Sequence, residues 1–199
     1  MFDRWVSKRK LVILETLVFQ AVTFFLILLM VSVHFCDLPW SLPHLRRFGN
    51  GGQVLDLTLG YSPSSAYAWM NSLGGVGRDC YLNNVLFGID LILPVVMATF
   101  LSLGIHLLLK RIANYPQGWH KLVWLPVLAM LFDYVENCLL GILVRTFPAR
   151  NDYLCSLASA FTTAKLVSYG LSGVIILALL VRLVLGTKKK SSILTDDPR

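Results

Sequence analysis

Two carboxylates and an amide lie in the middle of a long apolar stretch of this 199-residue chain. Asp133, Glu136 and Asn137 fall within residues 122–144, which otherwise read as a helix that crosses a membrane. An ionised carboxylate near the centre of a bilayer costs about 3 kcal/mol on insertion scales, so it needs a proton, a partner of opposite charge or a water-filled cavity. The three residues therefore indicate an intramembrane polar site that could bind a proton or a ligand, although they identify no substrate.

A lysine in the next apolar stretch is the predicted partner of these acids. Glu136 and Lys165 lie at similar distances from the short connector between the third and fourth apolar stretches, so antiparallel helices would bring them to the same depth. We predict an ion pair between them, with Asp133 one turn away on the same face. Asp90, in the second stretch, can join this cluster or face the outer water. The cluster could be a binding site, or it could only fix the order and register of the helices.

The chain offers no recognised catalytic or metal-binding pattern beside this cluster. No Ser/His/Asp arrangement typical of a hydrolase occurs, and the four histidines are scattered without the spacing of metal ligands. We therefore predict no catalytic residues, no metal and no cofactor, and we lean against an enzyme.

Two of the four cysteines could form a disulfide across the connector between the first and second apolar stretches. Cys36, Cys80 and Cys155 fall near helix ends on one predicted side of the membrane, and Cys138 lies inside the third apolar stretch. In an oxidising compartment Cys36 and Cys80 could form a disulfide, which would contribute roughly 4 kcal/mol by closing that connector. No Cys-x-x-Cys pair occurs, which disfavours a thiol redox enzyme.

The composition indicates which elements must hold these residues. The chain is 56% hydrophobic and 15% charged, with a mean hydropathy of +0.66, which is too apolar for a soluble domain of this size. Four continuous apolar stretches are each long enough to span about 30 Å of hydrocarbon as a helix: residues 11–33, 86–109, 122–144 and 157–185. We predict an all-α fold, a four-helix transmembrane bundle embedded in the lipid bilayer.

The segments between the predicted spans differ in length. Residues 1–10 form a basic inner arm, and residues 186–199 form a polar inner tail that we expect to be disordered. Residues 34–85 form an outer connector that contains a short helix over residues 64–73, because Ser62 suits an N-cap and Pro63 suits the first helical position. We predict that this helix forms a cap at the outer mouth of the bundle.

Basic residues are concentrated at the two ends of the chain and in the middle connector, within residues 1–10, 110–121 and 186–199. By the positive-inside rule, both termini and the middle connector face the cytoplasm or an equivalent compartment such as a mitochondrial matrix. The sequence does not identify the membrane. The net charge of +7 follows from this topology, so we predict no nucleic-acid partner.

Two segments resemble a known family. Residues 61–74, which read YSPSSAYAWMNSLG, and the stretch Phe132-Asp133-Tyr134-Val135-Glu136-Asn137 are similar to segments of an uncharacterised family of small four-span bacterial-type membrane proteins. That family carries an Asp-x-x-Glu-Asn motif in its third span. The resemblance covers most of residues 57–180 and implies the architecture and the polar site, with no established activity. The long first connector also resembles that of claudin-like tetraspans, to which intramembrane charges are foreign.

Three function classes agree with these residues. The first is a non-catalytic accessory or assembly subunit of a larger membrane complex, whose apolar helix faces pack against other membrane protein subunits. The second is a membrane protein, enzymatic or not, that binds a small molecule, a lipid or a proton through Asp90, Asp133, Glu136, Asn137 and Lys165. The third is a claudin-like scaffold that acts through residues 34–85. We rank them in this order because most of the chain is helix surface and the polar motif lacks a complete catalytic set.

Overall fold

The computed structural model describes the backbone of residues 2–49, 54–112 and 115–195, and within these ranges it describes side chains from residue 11 to residue 185. This part of the chain is helical and contains no strand. The α-helices are α1 (Phe2–Phe35), α2 (Leu42–Leu45), α3 (Pro63–Ser72), α4 (Gly74–Cys80), α5 (Asp90–Arg111), α6 (Leu125–Thr146) and α7 (Asp152–Thr195). A π-helical segment, Tyr81–Ile89, joins α4 to α5, and short 3-10 helices cover Leu55–Leu57 and Gln117–Trp124.

Four helical stretches are long and apolar enough to cross a membrane: Leu11–Phe35, Gly74–Arg111, Gln117–Thr146 and Asp152–Leu185. Long helices that follow each other in the bundle run antiparallel. At the end that holds the chain termini, Lys110 of α5 pairs with Glu15 of α1 at 2.6 Å, and Phe19 of α1 stacks on Phe100 of α5. The predicted all-α four-helix bundle is confirmed, and the length and composition of its helices support an integral membrane protein.

The second spanning stretch begins before the apolar run on which its prediction rested. The helix runs from Gly74 through the π-helical segment to Arg111, whereas the apolar run begins at residue 86. The extra turns are helical because Tyr81, Leu82 and Val85 are buried in one apolar cluster with residues of the first connector. The early turns of this helix therefore serve as the surface on which the connector folds.

Helical backbone also extends past the predicted spans at both ends of the chain. Helix α1 includes the basic arm from Phe2 onward, and α7 continues to Thr195, where the sequence predicts a disordered tail. The side chains of residues 1–10 and 186–199 lie outside the described residues, as does the backbone of residues 196–199.

The first connector folds into a compact cap, which comprises α2, the 3-10 helix Leu55–Leu57 and α3. The Ser62 side chain accepts a hydrogen bond from the backbone of Ser65, and the Ser65 side chain accepts one from the backbone of Ser62. This capping box begins α3 at Pro63 and confirms the predicted short helix. Leu45 of α2 and Met70 of α3 are buried in the same apolar cluster as the π-helical segment. Burial of these side chains holds the cap against the end of the bundle.

The disulfide that Cys36 and Cys80 could form in an oxidising compartment is not present in this structure. Both thiols are free, with Cys36 half-buried and Cys80 buried. The Cys80 thiol donates a hydrogen bond to the carbonyl of Pro39 at 3.4 Å, and the Asn84 amide donates one to the same sulfur. The cap is thus held by apolar burial and hydrogen bonds.

Candidate functional site

Lys165 and the two acids of α6 form a buried ion-pair network. The Lys165 Nζ lies 2.6 Å from Glu136 Oε2 and 3.0 Å from Asp133 Oδ1. Glu136 is 0% exposed, Lys165 is 5% exposed and Asp133 is 8% exposed. Charges this deeply buried persist only when they compensate each other. The ion pair that the sequence predicts from the depth of Glu136 and Lys165 is therefore present, and Asp133 belongs to it.

Thr162 satisfies the second oxygen of the Glu136 carboxylate. Its hydroxyl donates a hydrogen bond to Glu136 Oε1 at 2.6 Å. Thr162 precedes Lys165 by about one helical turn, so both side chains reach the same acid from one face of α7. Farther along that face, Ser168 and Ser172 are buried and donate to carbonyls of their own helix. The hydroxyl groups of Thr162, Ser168 and Ser172 are therefore all paired.

The same stretch of α6 also donates hydrogen bonds to α5, at the place where a proline interrupts the backbone hydrogen bonds of α5. Pro94 has no N–H group, so the carbonyl of Asp90, four residues earlier, lacks its usual helical donor. The Asn137 amide donates to this carbonyl at 3.4 Å, and the Tyr134 hydroxyl donates to the carbonyl of Leu91 at 2.8 Å. Helix α6 is therefore joined to α5 at this point and to α7 through its two acids.

A cavity of about 250 Å³ lies beside this network. We call it the acidic cavity. Most of its wall is apolar and comes from α1, the cap, the π-helical segment, α5 and α7, with Met30, Val33 and Leu93 among the lining residues. An apolar cavity with a few convergent polar groups is the usual form of a small-molecule site. The polar or ionisable side chains that line it are those of His34, Asp56, Asp90, Asp133, Lys165 and Tyr169.

Asp90 presents a carboxylate oxygen without a partner to this cavity. The Oδ2 atom is buried, and it accepts no hydrogen bond from the described residues. The contact with Asn137 is made by the backbone carbonyl of Asp90 and not by its side chain. Of the two positions that the sequence allows for Asp90, the structure has the one beside the cluster.

Asp56 is a cavity residue that the sequence analysis missed. It lies in the 3-10 helix of the cap, is 6% exposed, and accepts a hydrogen bond from the Tyr81 hydroxyl at 3.3 Å. The connector gave no helical period from which to predict its direction. One signal was available, because Val54, Leu55 and Leu57 flank this acid with apolar side chains, which is unusual for an open polar loop.

Two half-buried tyrosines, Tyr61 and Tyr169, also have buried hydroxyl groups without a hydrogen-bond partner among the described residues. Tyr169 lines the acidic cavity about one turn beyond Lys165. Tyr61 lies in the connector, where its backbone N–H donates to the Ser159 hydroxyl of α7 at 2.8 Å. Burial raises the pKa of the Tyr61 phenol, because a phenolate would lose its hydration. The Tyr169 hydroxyl is therefore a hydrogen-bonding position that a molecule in the acidic cavity can satisfy.

The acidic cavity and its adjoining network hold more acids than bases. Asp56, Asp90 and Asp133 line the cavity, and Glu136 lies behind Lys165. Lys165 is the single lysine or arginine among the described residues that line the cavity, and its ammonium group already contacts two carboxylates. Buried carboxylates in excess need either protons or a bound cation. The site can therefore hold a positive group next to apolar walls.

Within the described part of the chain, no three metal-binding side chains converge in a way that could hold a metal ion. The acids of the cavity instead come from three separate elements, with Asp56 in the cap, Asp90 in α5 and Asp133 in α6. No protein-family model, curated protein or solved structure matches this chain. The geometry of the acidic cavity is therefore what indicates a function.

Proposed function

We propose that this protein binds a small cationic molecule with an apolar body in the acidic cavity. The supporting observation is the carboxylate of Asp90, which lines a mainly apolar cavity of about 250 Å³ and has an oxygen without a partner among the described residues. A primary ammonium group would pair with Asp90, and the apolar part of the ligand would contact α1 and α5. The ligand must be small, since pockets for drug-sized ligands are typically about 300–1,000 Å³.

Lys165 does not supply the counter-charge that Asp90 lacks. Its Nζ is held by Glu136 at 2.6 Å and by Asp133 at 3.0 Å. A ligand cation would add the missing charge at a place where the low dielectric strengthens an ion pair. The apolar room beside the acids favours an organic cation over protons alone, because a proton needs no cavity.

The test is binding of n-octylammonium to the full-length protein in nanodiscs, measured by isothermal titration calorimetry with empty nanodiscs subtracted. We expect saturable binding. Asp90→Asn should weaken it about thirtyfold or more, since loss of one partner of a buried charge pair costs at least about 2 kcal/mol. n-Octanol, which has the same chain without the charge, should bind far more weakly than n-octylammonium.

Asp79→Asn is the matched control, because Asp79 is exposed and does not line the acidic cavity. This variant should bind n-octylammonium with wild-type affinity. Equal affinity of the wild type and the Asp90→Asn variant would rule out the proposed site, provided that both remain monodisperse on size exclusion.

An accessory subunit of a larger membrane complex is a second candidate, and helix α1 is the observation that favours it. Large apolar side chains such as Phe24, Ile27 and Leu28 are exposed on α1, which packs mainly on α5 and on the cap. Such a face suits a partner helix as well as lipid. Recovery of one defined partner in stoichiometric amount after mild detergent extraction would support this role, and migration as a single chain would count against it.

A further inference from the structure

A second cavity, of about 300 Å³, lies between α1, α5 and α7 toward the end of the bundle that holds the chain termini. We call it the apolar slot. Gly104 lies in the wall of this slot, where a Cβ would make ordinary van der Waals contact with Ile176 at 3.5 Å and with Phe19 at 3.6 Å, so only a larger side chain would fill the space. Phe19 stacks on Phe100 across the slot, with ring centroids 5.4 Å apart. The wall is therefore made of side chains that suit a hydrocarbon chain.

Arg111 is the single charged residue among the described residues that line the apolar slot. It is the last residue of α5, and it is exposed. Nearby cations have partners, because Lys110 pairs with Glu15 and Arg182 lies 5.0 Å from the ring centroid of Trp119. Arg111 has no ion-pair partner in the described part of the chain. Among the described side chains, a positive charge without an ion-pair partner therefore lies at the end of an apolar slot.

We propose that the apolar slot binds one acyl chain of an anionic phospholipid, whose phosphate group pairs with Arg111. The planar guanidinium group can donate two parallel hydrogen bonds to a phosphate, and this geometry favours arginine at phosphate sites. Basic pockets between transmembrane helices recur as sites for anionic lipid headgroups. The slot shares no lining residue with the acidic cavity, so this inference is independent of the proposed cationic ligand.

Native mass spectrometry of the full-length protein in detergent, with dioleoylphosphatidylglycerol or dioleoylphosphatidylcholine added at equal concentration, tests the site. We expect the wild type to retain phosphatidylglycerol in preference to phosphatidylcholine. Arg111→Gln should lower the retention of phosphatidylglycerol about fivefold, the usual effect of one basic residue near an anionic lipid. Gly104→Leu should lower the retention of both lipids, because the new side chain fills the slot.

Lys121→Gln is the matched control, since Lys121 is exposed at the same end of the bundle and does not line the slot. It should retain phosphatidylglycerol as the wild type does. Equal losses in Lys121→Gln and Arg111→Gln would show a non-specific surface attraction and overturn the proposal, as would full retention in Arg111→Gln. If Gly104→Leu fails to fold, the comparison of Arg111→Gln with Lys121→Gln still tests the proposed lipid site.

Glycerol 1-phosphate separates a lipid from its headgroup alone, because it carries the phosphate without an acyl chain. We expect no displacement of phosphatidylglycerol by a large excess of this compound. Displacement would mean that phosphate alone is recognised at Arg111 and that the apolar slot does not hold the acyl chain.

Discussion

Lys165 compensates two carboxylates at once, so its loss would leave both acids without this counter-charge. Its Nζ contacts both Glu136 and Asp133, and all three side chains are buried. Removing one partner of a buried ion pair leaves an uncompensated charge and costs about 3–5 kcal/mol, whereas replacing every member by neutral groups of similar shape is often close to neutral. What this network contributes to stability is therefore the pairing, and the charges by themselves contribute little.

We expect Lys165→Met to lower the free energy of unfolding by about 3–5 kcal/mol, measured by denaturant unfolding in detergent micelles. The triple variant Lys165→Met, Asp133→Asn, Glu136→Gln should recover most of this loss, because it leaves no buried charge in the network. Lys121→Met removes an exposed lysine and should change little. Wild-type stability of Lys165→Met would contradict the network.

The residues of the site were predictable where a helix fixed their depth. Glu136 and Lys165 lie on regular helices whose rise per residue is constant, so their positions relative to one connector predict the ion pair. Asp56 lies in the cap, where no period relates one side chain to the next, and its direction follows from burial of the neighbouring apolar residues. The part of the cavity that the cap supplies therefore had no helical period to predict it, and the apolar residues that flank Asp56 were its only signal in the sequence.

At the scale of the elements, two irregularities lie on either side of Asp90. The π-helical segment ends at Ile89, and Pro94 removes a backbone donor four residues after Asp90. The proline is visible in the sequence, and with it a break in α5 near Asp90. The π-helical segment cannot be recognised in the sequence. Its wider turns nevertheless shift the direction of every later side chain around the helix axis. Helix faces cannot be extrapolated across this segment, so the sequence alone does not give the face of α5 on which Asp90 lies.

The cap packs on α4 at a glycine, which offers a test of their contact. A Cβ at Gly77 would lie 2.6 Å from the Cβ of Phe48, whereas a Cβ at Gly75 would have no neighbour within 4 Å. We expect Gly77→Ala to destabilise the protein by about 1–3 kcal/mol relative to Gly75→Ala, because it overpacks the contact. The measurement is the thermal midpoint of both variants in the same detergent. Equal midpoints would mean that Phe48 does not pack on α4.

At the scale of the whole molecule, four stretches of the described chain are long and apolar enough to cross a membrane, and four crossings would leave both ends of the bundle sequence on one side. Basic residues are concentrated at this end, in residues 1–10, 110–121 and 186–199. We propose that both termini face the cytoplasm or the matrix, in accordance with the positive-inside rule. The acidic cavity, which borders the cap, would then lie nearer the opposite side of the membrane.

Reporter fusions expressed in a bacterial host check this orientation. Alkaline phosphatase, which needs disulfides and so an oxidising compartment, should be inactive when it is fused to either terminus. The same enzyme fused after residue 60 should be active, since only the first span would precede it. Opposite signals from the two termini would require an odd number of spans and would exclude the proposed topology.

The double attachment of α6 also constrains how this sequence can change over generations. Asp133 and Glu136 of α6 pair with Lys165 of α7. Tyr134 and Asn137, on the same stretch of α6, donate hydrogen bonds to backbone carbonyls of α5 just before Pro94. A lineage that loses Lys165 first leaves two acids uncompensated, whereas one that loses Asp133 first keeps Lys165 paired with Glu136. Descendants of this chain should therefore neutralise position 133 before position 165, while exposed positions such as Ile27 drift independently.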